Sequence, residues 1–298
     1  MNSLLKEIKS EVQFIENYKG IEIYIKREDL IHPEISGNKW RKLKYNLLEA
    51  KKQGCSTILT FGGAYSNHIA ATAAACNKYG FKSIGIIRGE EYSDLNPTLK
   101  LATENGMTLH YVSRQDYKNK TNADFIQSLQ QQFGKFYLVP EGGDNEFGIK
   151  GCEEILNSGD SKFDIICSAI GTGSTFTGIV NSLESHQKGF GFPVLKLGES
   201  IEQKISVQAK TLNWQVFHDA HYGGYAKITP ELIAFINSFY QNHKIALDPV
   251  YTGKMAFAVY NLINNKQISV NSKVLLIHTG GLQGAKGIEN RYGIKLAY

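Results

Sequence analysis

The feature that most constrains this chain is a repeated alternation of short β-rich runs, glycine turns and longer helical stretches. Ser56-Thr57-Ile58-Leu59-Thr60-Phe61 ends in Gly62-Gly63, and an alanine-rich helix is predicted over residues 69–79. A second apolar run, residues 83–87, precedes a predicted helix at 96–105 that Gly106 closes. Further strands are predicted at 108–112, 135–139, 164–169, 194–197 and 274–277. Helices are predicted around 125–133, 151–156, 175–183, 230–242 and 254–264, with another starting near Trp40. This is the signature of βαβ units, and it predicts an α/β fold of open, twisted, mostly parallel sheets flanked by helices. The number of units in 298 residues favours two such sheets over one.

Composition removes other classes. Hydrophobic residues at 42% and charged residues at 20% are globular values, so wholesale disorder is excluded. No run approaches the roughly 20 apolar residues of a membrane-spanning helix, so no membrane partner is expected. Residues 1–9 mix both charges without an apolar centre, so no secretory signal is expected and the expected location is cytoplasmic. The net charge is +5, but the densest cluster, Lys39-Trp40-Arg41-Lys42-Leu43-Lys44, has little basic reinforcement. A nucleic-acid partner is therefore not expected, whereas a small anion suits that cluster. Cys55, Cys76, Cys152 and Cys167 form no CxxC pair, and His68, His221 and His278 lie in no HExxH motif, so no metal site is expected.

Ligands of open α/β sheets bind beyond the carboxyl ends of the strands, so the turns carry the chemical information. Four stand out: Gly62-Gly63-Ala64-Tyr65-Ser66-Asn67-His68, Gly171-Thr172-Gly173-Ser174-Thr175, Tyr251-Thr252-Gly253-Lys254 and His278-Thr279-Gly280-Gly281. In the second, glycines let successive N–H groups converge, the next helix adds its positive end, and three hydroxyls supply donors. No GK[ST] follows, and position 193 is a proline where a dinucleotide site would want an acid. A phosphate monoester fits the loop; a tight strand–helix turn with capping hydroxyls is the plainer alternative. Ser36-Gly37-Asn38-Lys39 presents a lysine after a glycine turn, where desolvation would favour Schiff-base chemistry, although most lysines are simply solvated. Ser66 sits in no GxSxG elbow, which argues against a serine hydrolase.

Taken in order, Lys26-Arg27-Glu28-Asp29-Leu30, Ser36-Gly37-Asn38-Lys39-Trp40-Arg41-Lys42-Leu43 and the first three of those turns, the third led by Asp248-Pro249-Val250, resemble one family. It is the pyridoxal-phosphate enzymes of tryptophan synthase β-type fold (fold type II), in the branch of 1-aminocyclopropane-1-carboxylate (ACC) deaminase and D-cysteine desulfhydrase. The resemblance implies pyridoxal 5′-phosphate as cofactor, a small amino acid as substrate and a homodimer. It implies a larger cofactor-binding domain, residues 1–39 plus 147–298, and a smaller one, 40–146, that closes over it. Lys39 would hold the cofactor covalently and move protons at Cα, with Ser66, Tyr225 and Tyr251 as the other catalytic residues. Lys42 would reach the cofactor phosphate, Thr172, Gly173, Ser174 and Thr175 would form its cup, and Asn67 would lie beside the 3′-oxygen.

Substrate choice follows from electronics. The position of Thr252 resembles that of a glutamate in ACC deaminases, where a carboxylate keeps the pyridine nitrogen protonated and the electron sink strong. A neutral Thr252 suits loss of thiolate from cysteine, and Thr279 matches the desulfhydrase side. The implied reaction is α,β-elimination from D-cysteine to pyruvate, sulfide and ammonia. The alternatives are ACC deamination to 2-oxobutyrate and ammonia, and a non-catalytic binding protein that keeps the phosphate cup. Tyr65 and Ala70 depart from the family's usual Gln and Arg, and Tyr65 would narrow or re-polarise the pocket.

Overall fold

The computed structural model describes residues 8–91 and 94–298, so the segment read for a leader lies largely outside it. The described chain opens with a hairpin, β1 (Val12–Tyr18) and β2 (Ile21–Lys26). Lys19 and Gly20 both take positive φ at its tip, the two-residue turn whose twist matches antiparallel strands. Helix α1 (Asn38–Lys52) then leads to a four-stranded unit: β3 (Thr57–Gly63), α2 (Asn67–Tyr79), β4 (Lys82–Arg88), α3 (Pro97–Glu104), β5 (Met107–Val112), α4 (Ala123–Phe133) and β6 (Tyr137–Val139). Its strand order is β5-β4-β3-β6, with every pairing parallel.

The chain returns through α5 (Glu146–Cys152) to β7 (Ile165–Ile170), α6 (Ser174–Asn181), β8 (Lys188–Pro193), α7 (Ser200–Gln208) and β9 (Trp214–Val216). Helices α8 (Pro230–His243) and α9 (Thr252–Asn264), strand β10 (Lys273–Ile277) and α10 (Ala285–Tyr292) complete it. The second sheet has the order β1-β2-β10-β7-β8-β9, parallel except for β1. β7 is buried along its whole length, as expected of a central strand covered by helices on both faces. The fold is thus α/β with two mostly parallel sheets, and no helix among the described residues is long and apolar enough to cross a membrane.

Several elements depart from the sequence reading, and the β1–β2 hairpin, β9 and α10 have no counterpart in it. The strand expected at 194–197 ends earlier, as β8, whose glycines disguise it. An added Cβ on Gly191 would stand 2.5 Å from Ile170 and 2.9 Å from Phe176, so packing excludes the β-branched residues that signal a strand. α5 starts earlier than expected because Asn145 caps it, accepting from the Gly148 amide at 2.9 Å. α7 was not foreseen.

The Lys26-Arg27-Glu28-Asp29 motif is structural. Lys26 pairs with Asp160 at 2.6 Å, both buried, and Arg41 of α1 grips Glu28 through two 2.9 Å hydrogen bonds. These contacts fix the start of α1 against the end of β2.

Candidate active site

Gly37 takes φ 61° and ψ −140°, and any Cβ there would collide with the Thr279 carbonyl. The Asn38 amide donates to that same carbonyl at 3.3 Å, so the turn before α1 is pinned to the end of β10. The first turns of α1 carry Lys39, Arg41 and Lys42 with no acidic residue, an arrangement the helix dipole opposes. Glu28 answers Arg41; the two lysines line a cleft. Lys39 Nζ donates to Asn38 Oδ1 at 3.0 Å. Burial, and then repulsion from Lys42, brings its pKa down to about 7. Lys42 Nζ donates to the Gly142 carbonyl at 3.0 Å, and burial lowers its pKa as well.

The glycine loop after β7 forms the floor beside them. Gly173 takes φ 106° and precedes the first residue of α6. Thr175 Oγ1 accepts from Asn38 Nδ2 at 2.7 Å, which ties the loop to the Lys39 turn. Thr172 Oγ1 and Ser174 Oγ are buried without a hydrogen-bond partner. An orphaned buried hydroxyl costs on the order of 1–3 kcal/mol. Two of them at a helix N-terminus beside Lys42, with Lys204 Nζ on the Thr172 carbonyl at 2.7 Å, form a donor set that suits a phosphate. The residues present therefore fit the phosphate of pyridoxal phosphate.

The opposite wall is the start of α2. Ser66 caps it, its Oγ accepting from the Ile69 amide at 3.3 Å. Asn67 Oδ1 accepts from Gln283 Nε2, and Gln283 Oε1 accepts from Thr98 Oγ1 at 3.1 Å. His68 contacts Thr60 Oγ1 at 2.8 Å, and that hydroxyl donates to the Val139 carbonyl. The proton between them therefore sits on His68 Nε2, which leaves a bare, buried Nδ1. Burial and the two lysines hold His68 neutral, its pKa well below the usual value.

Tyr225 and Tyr251 meet edge to face, centroids 6.2 Å apart at 72°. Both phenols are protonated at neutral pH, and burial raises their pKa values further. Tyr65 rests on Gly287, where an added Cβ would stand 2.8 Å from the ring.

Lys39, Lys42, Ser66, Asn67, Thr172, Gly173, Thr175, Tyr225 and Tyr251 all line one cleft of about 840 Å³, with Ser174 buried behind its floor. Thr252 does not line it, which corrects the expectation for that side chain. Its hydroxyl donates to Asp248 Oδ2 at 2.7 Å and accepts from the Asp248 amide at 2.9 Å, so it ties the first residue of α9 to the turn before the helix. The neutral hydroxyl side chain on the wall at this sheet edge is that of Thr279. Gln283, Arg88 and the carbonyl of Gly142 also border the cleft without having been foreseen. No spacing in the sequence marks them, since each is drawn in from a different turn.

The sequence pattern of the family described as "Pyridoxal-phosphate dependent enzyme" matches residues 10–280. The bifunctional D-cysteine desulfhydrase/1-aminocyclopropane-1-carboxylate deaminase of Arabidopsis thaliana is 33% identical, over 89% of this chain and 73% of its own length. A D-cysteine desulfhydrase of Yersinia enterocolitica is 28% identical, over 90% and 88%. The crystal structure of an ACC deaminase homologue superposes with a TM-score of 0.85 at 29% identity, covering 97% of both chains. This chain belongs to the pyridoxal-phosphate dependent enzymes, in the group of ACC deaminase and D-cysteine desulfhydrase relatives, and pyridoxal 5′-phosphate is its cofactor.

Proposed function

We propose that this enzyme converts D-cysteine and water to pyruvate, hydrogen sulfide and ammonia by α,β-elimination. The observation that carries the reading is the amine of Lys39, brought to a pKa of about 7 and held between the Thr172–Thr175 floor and the Ser66 wall. Lys39 holds the cofactor covalently, Lys42, Thr172, Gly173, Ser174 and Thr175 take its phosphate, and Asn67 takes its ring oxygen. Bound pyridoxal phosphate supplies an electron sink that acidifies the Cα–H bond of an amino acid. Lys39 Nζ, half neutral near pH 7, takes that proton. Ser66 Oγ and the first amides of α2 receive the α-carboxylate at the positive end of the helix. Tyr225 and Tyr251, protonated at neutral pH as phenols are and shifted further upward here, remain hydrogen-bond donors.

D-Cysteine is favoured over ACC by the neutral character of the β10 edge. Asp248 is the acid beside Thr252, and its oxygens are taken by the Val250, Tyr251 and Thr252 amides and the Thr252 hydroxyl. That carboxylate is thus engaged within its own turn, and thiolate is a better leaving group than a ring carbon. ACC deamination is the second reading, since the Arabidopsis relative bears both names. The smaller unit, residues 40–146, closes over residues 1–39 and 147–298 to exclude water, in a cytoplasmic homodimer.

The test is a visible absorbance scan of purified protein before and after D-cysteine, L-cysteine and ACC, with product assays. A band that shifts with D-cysteine alone, with pyruvate and sulfide accumulating, supports the reading. A response to ACC alone moves the enzyme to the deaminase side.

A further inference from the structure

One wall of the cleft carries positive charge that the reaction above does not use. β4 ends at Arg88, on the carboxyl edge of the four-stranded sheet where ligands of parallel sheets bind. Its guanidinium lies 5.6 Å from the Tyr117 ring centroid. It also approaches to 3.5 Å of where a Cβ on Gly63 would stand, so it presses against the turn that leads to Ser66. Among the described residues no carboxylate pairs with Arg88. Lys120 approaches the same ring at 5.1 Å and takes Glu141 at 3.4 Å, leaving Arg88 without that counter-ion.

Tyr117 supplies an independent sign. It is only 2% exposed and borders the cleft, and its hydroxyl makes no hydrogen bond of ordinary geometry, although the Glu141 carboxylate lies near enough to join burial in holding its pKa up. Arg114 and Lys118 line the cleft as well, and the acids among its lining residues are Glu34, Glu90 and Glu141. Basic side chains thus outnumber acidic ones around the cleft, and Lys39 and Lys42 are the ones the reaction above uses.

We propose that Arg88, with the Tyr117 hydroxyl, forms a second anion subsite, and that the preferred substrates carry a second acidic group on the side chain. A guanidinium offers a planar fork of donors and the phenol adds one more, a set suited to a carboxylate, sulfonate or phosphonate. The uncharged side chain of D-cysteine leaves both unmatched. The inference rests on the proposed function only in that the cleft binds an amino acid through its α-amine and α-carboxylate.

Calorimetric titration of the holoenzyme with racemic 2-amino-3-phosphonopropionate and with racemic alanine tests this. Neither probe has a β-substituent suited to leave as the thiol does, so binding is read apart from turnover. The phosphonate is expected to bind at least about tenfold more tightly, the loss typical of one charged hydrogen bond, with the advantage shrinking as salt rises. Arg88→Gln is expected to abolish the advantage, and Arg88→Lys to keep part of it. Equal affinities in the wild type, or an advantage that survives Arg88→Gln, would overturn the subsite, as would Arg88→Gln weakening both probes alike. Should D-cysteine fail as a substrate while the phosphonate advantage stands, the elimination reading falls and the subsite remains.

Discussion

Gln283 and Asn67 join the two sheets: the Gln283 amide, just past β10, donates to the Asn67 side-chain oxygen at the start of α2. Thr98, at the start of α3, fixes the other end of Gln283 by donating to its oxygen at 3.1 Å. With its oxygen occupied, Asn67 must present its NH2 group to the cleft, toward Gly281.

Replacing Gln283 by Leu frees the Asn67 amide to rotate. The expected result is a cofactor dissociation constant raised several-fold, on the order of 1 kcal/mol for one lost hydrogen bond. Titration of apoprotein with pyridoxal phosphate reads this directly. Thr98→Val should give a smaller effect of the same sign, and unchanged affinity in both variants would mean the bridge is idle.

Lys39 gives two linked expectations. Lys39→Ala should abolish turnover and covalent cofactor retention with the fold intact, so a variant still yellow after dialysis would contradict the assignment. In the wild-type apoprotein only the neutral amine takes up cofactor, so the uptake rate should fall as pH drops through about 7. The stability sign follows from the same shift. A lysine whose pKa drops from 10.5 to about 7 on folding resists protonation in the folded state, so apoprotein stability falls between those values as pH decreases. Lys39→Met apoprotein should therefore melt higher than wild type at pH 7, the gap closing above about pH 10.

Thr172 and Ser174 should show opposite signs in the two states. Their hydroxyls are buried and unpartnered, so Thr172→Val with Ser174→Ala should leave the apoprotein equally or more stable. Cofactor affinity should fall by about 1–3 kcal/mol as donors to a charged phosphate are lost. Melting curves of the apo form beside cofactor titrations separate these effects. A variant whose affinity is unchanged would remove the phosphate cup.

Thr252 and Thr279 divide between stability and chemistry. Thr252→Val removes two buried hydrogen bonds to Asp248 and should lower stability by about 1–3 kcal/mol, with the holoenzyme absorption maximum in place. Thr279→Val, on the cleft wall, should move that maximum instead. A spectrum altered by Thr252→Val and indifferent to Thr279→Val would return the ring-facing role to Thr252.

Local order was legible where local forces decide it. The run from β3 to β6 alternates apolar strands with capped helices, and each strand there overlaps its predicted span. The β1–β2 hairpin and β8 escape the sequence reading: β1 is only partly buried and carries Gln13, Glu16 and Asn17, and β8 uses glycine because its neighbours leave no room. The loop at Gly171 and the lysine at position 39 were visible as candidate sites, and the ordered motifs made the family recognisable.

What the sequence by itself determined is therefore the alternation of strands and helices, the glycine turns at their ends, and the residue types offered there. Parallel strands deliver those turns to one sheet edge, which is why separate motifs converge. Tertiary structure alone decided which groups meet and which are used up. Asn38 reaches Thr175 across 137 residues and Gln283 reaches Asn67 across 216, and neither separation leaves a periodic trace. The same holds for Thr252, spent on Asp248, and for Arg88, left without a counter-ion. A side chain's partner depends on where distant backbone segments come to lie, and no local pattern encodes that position.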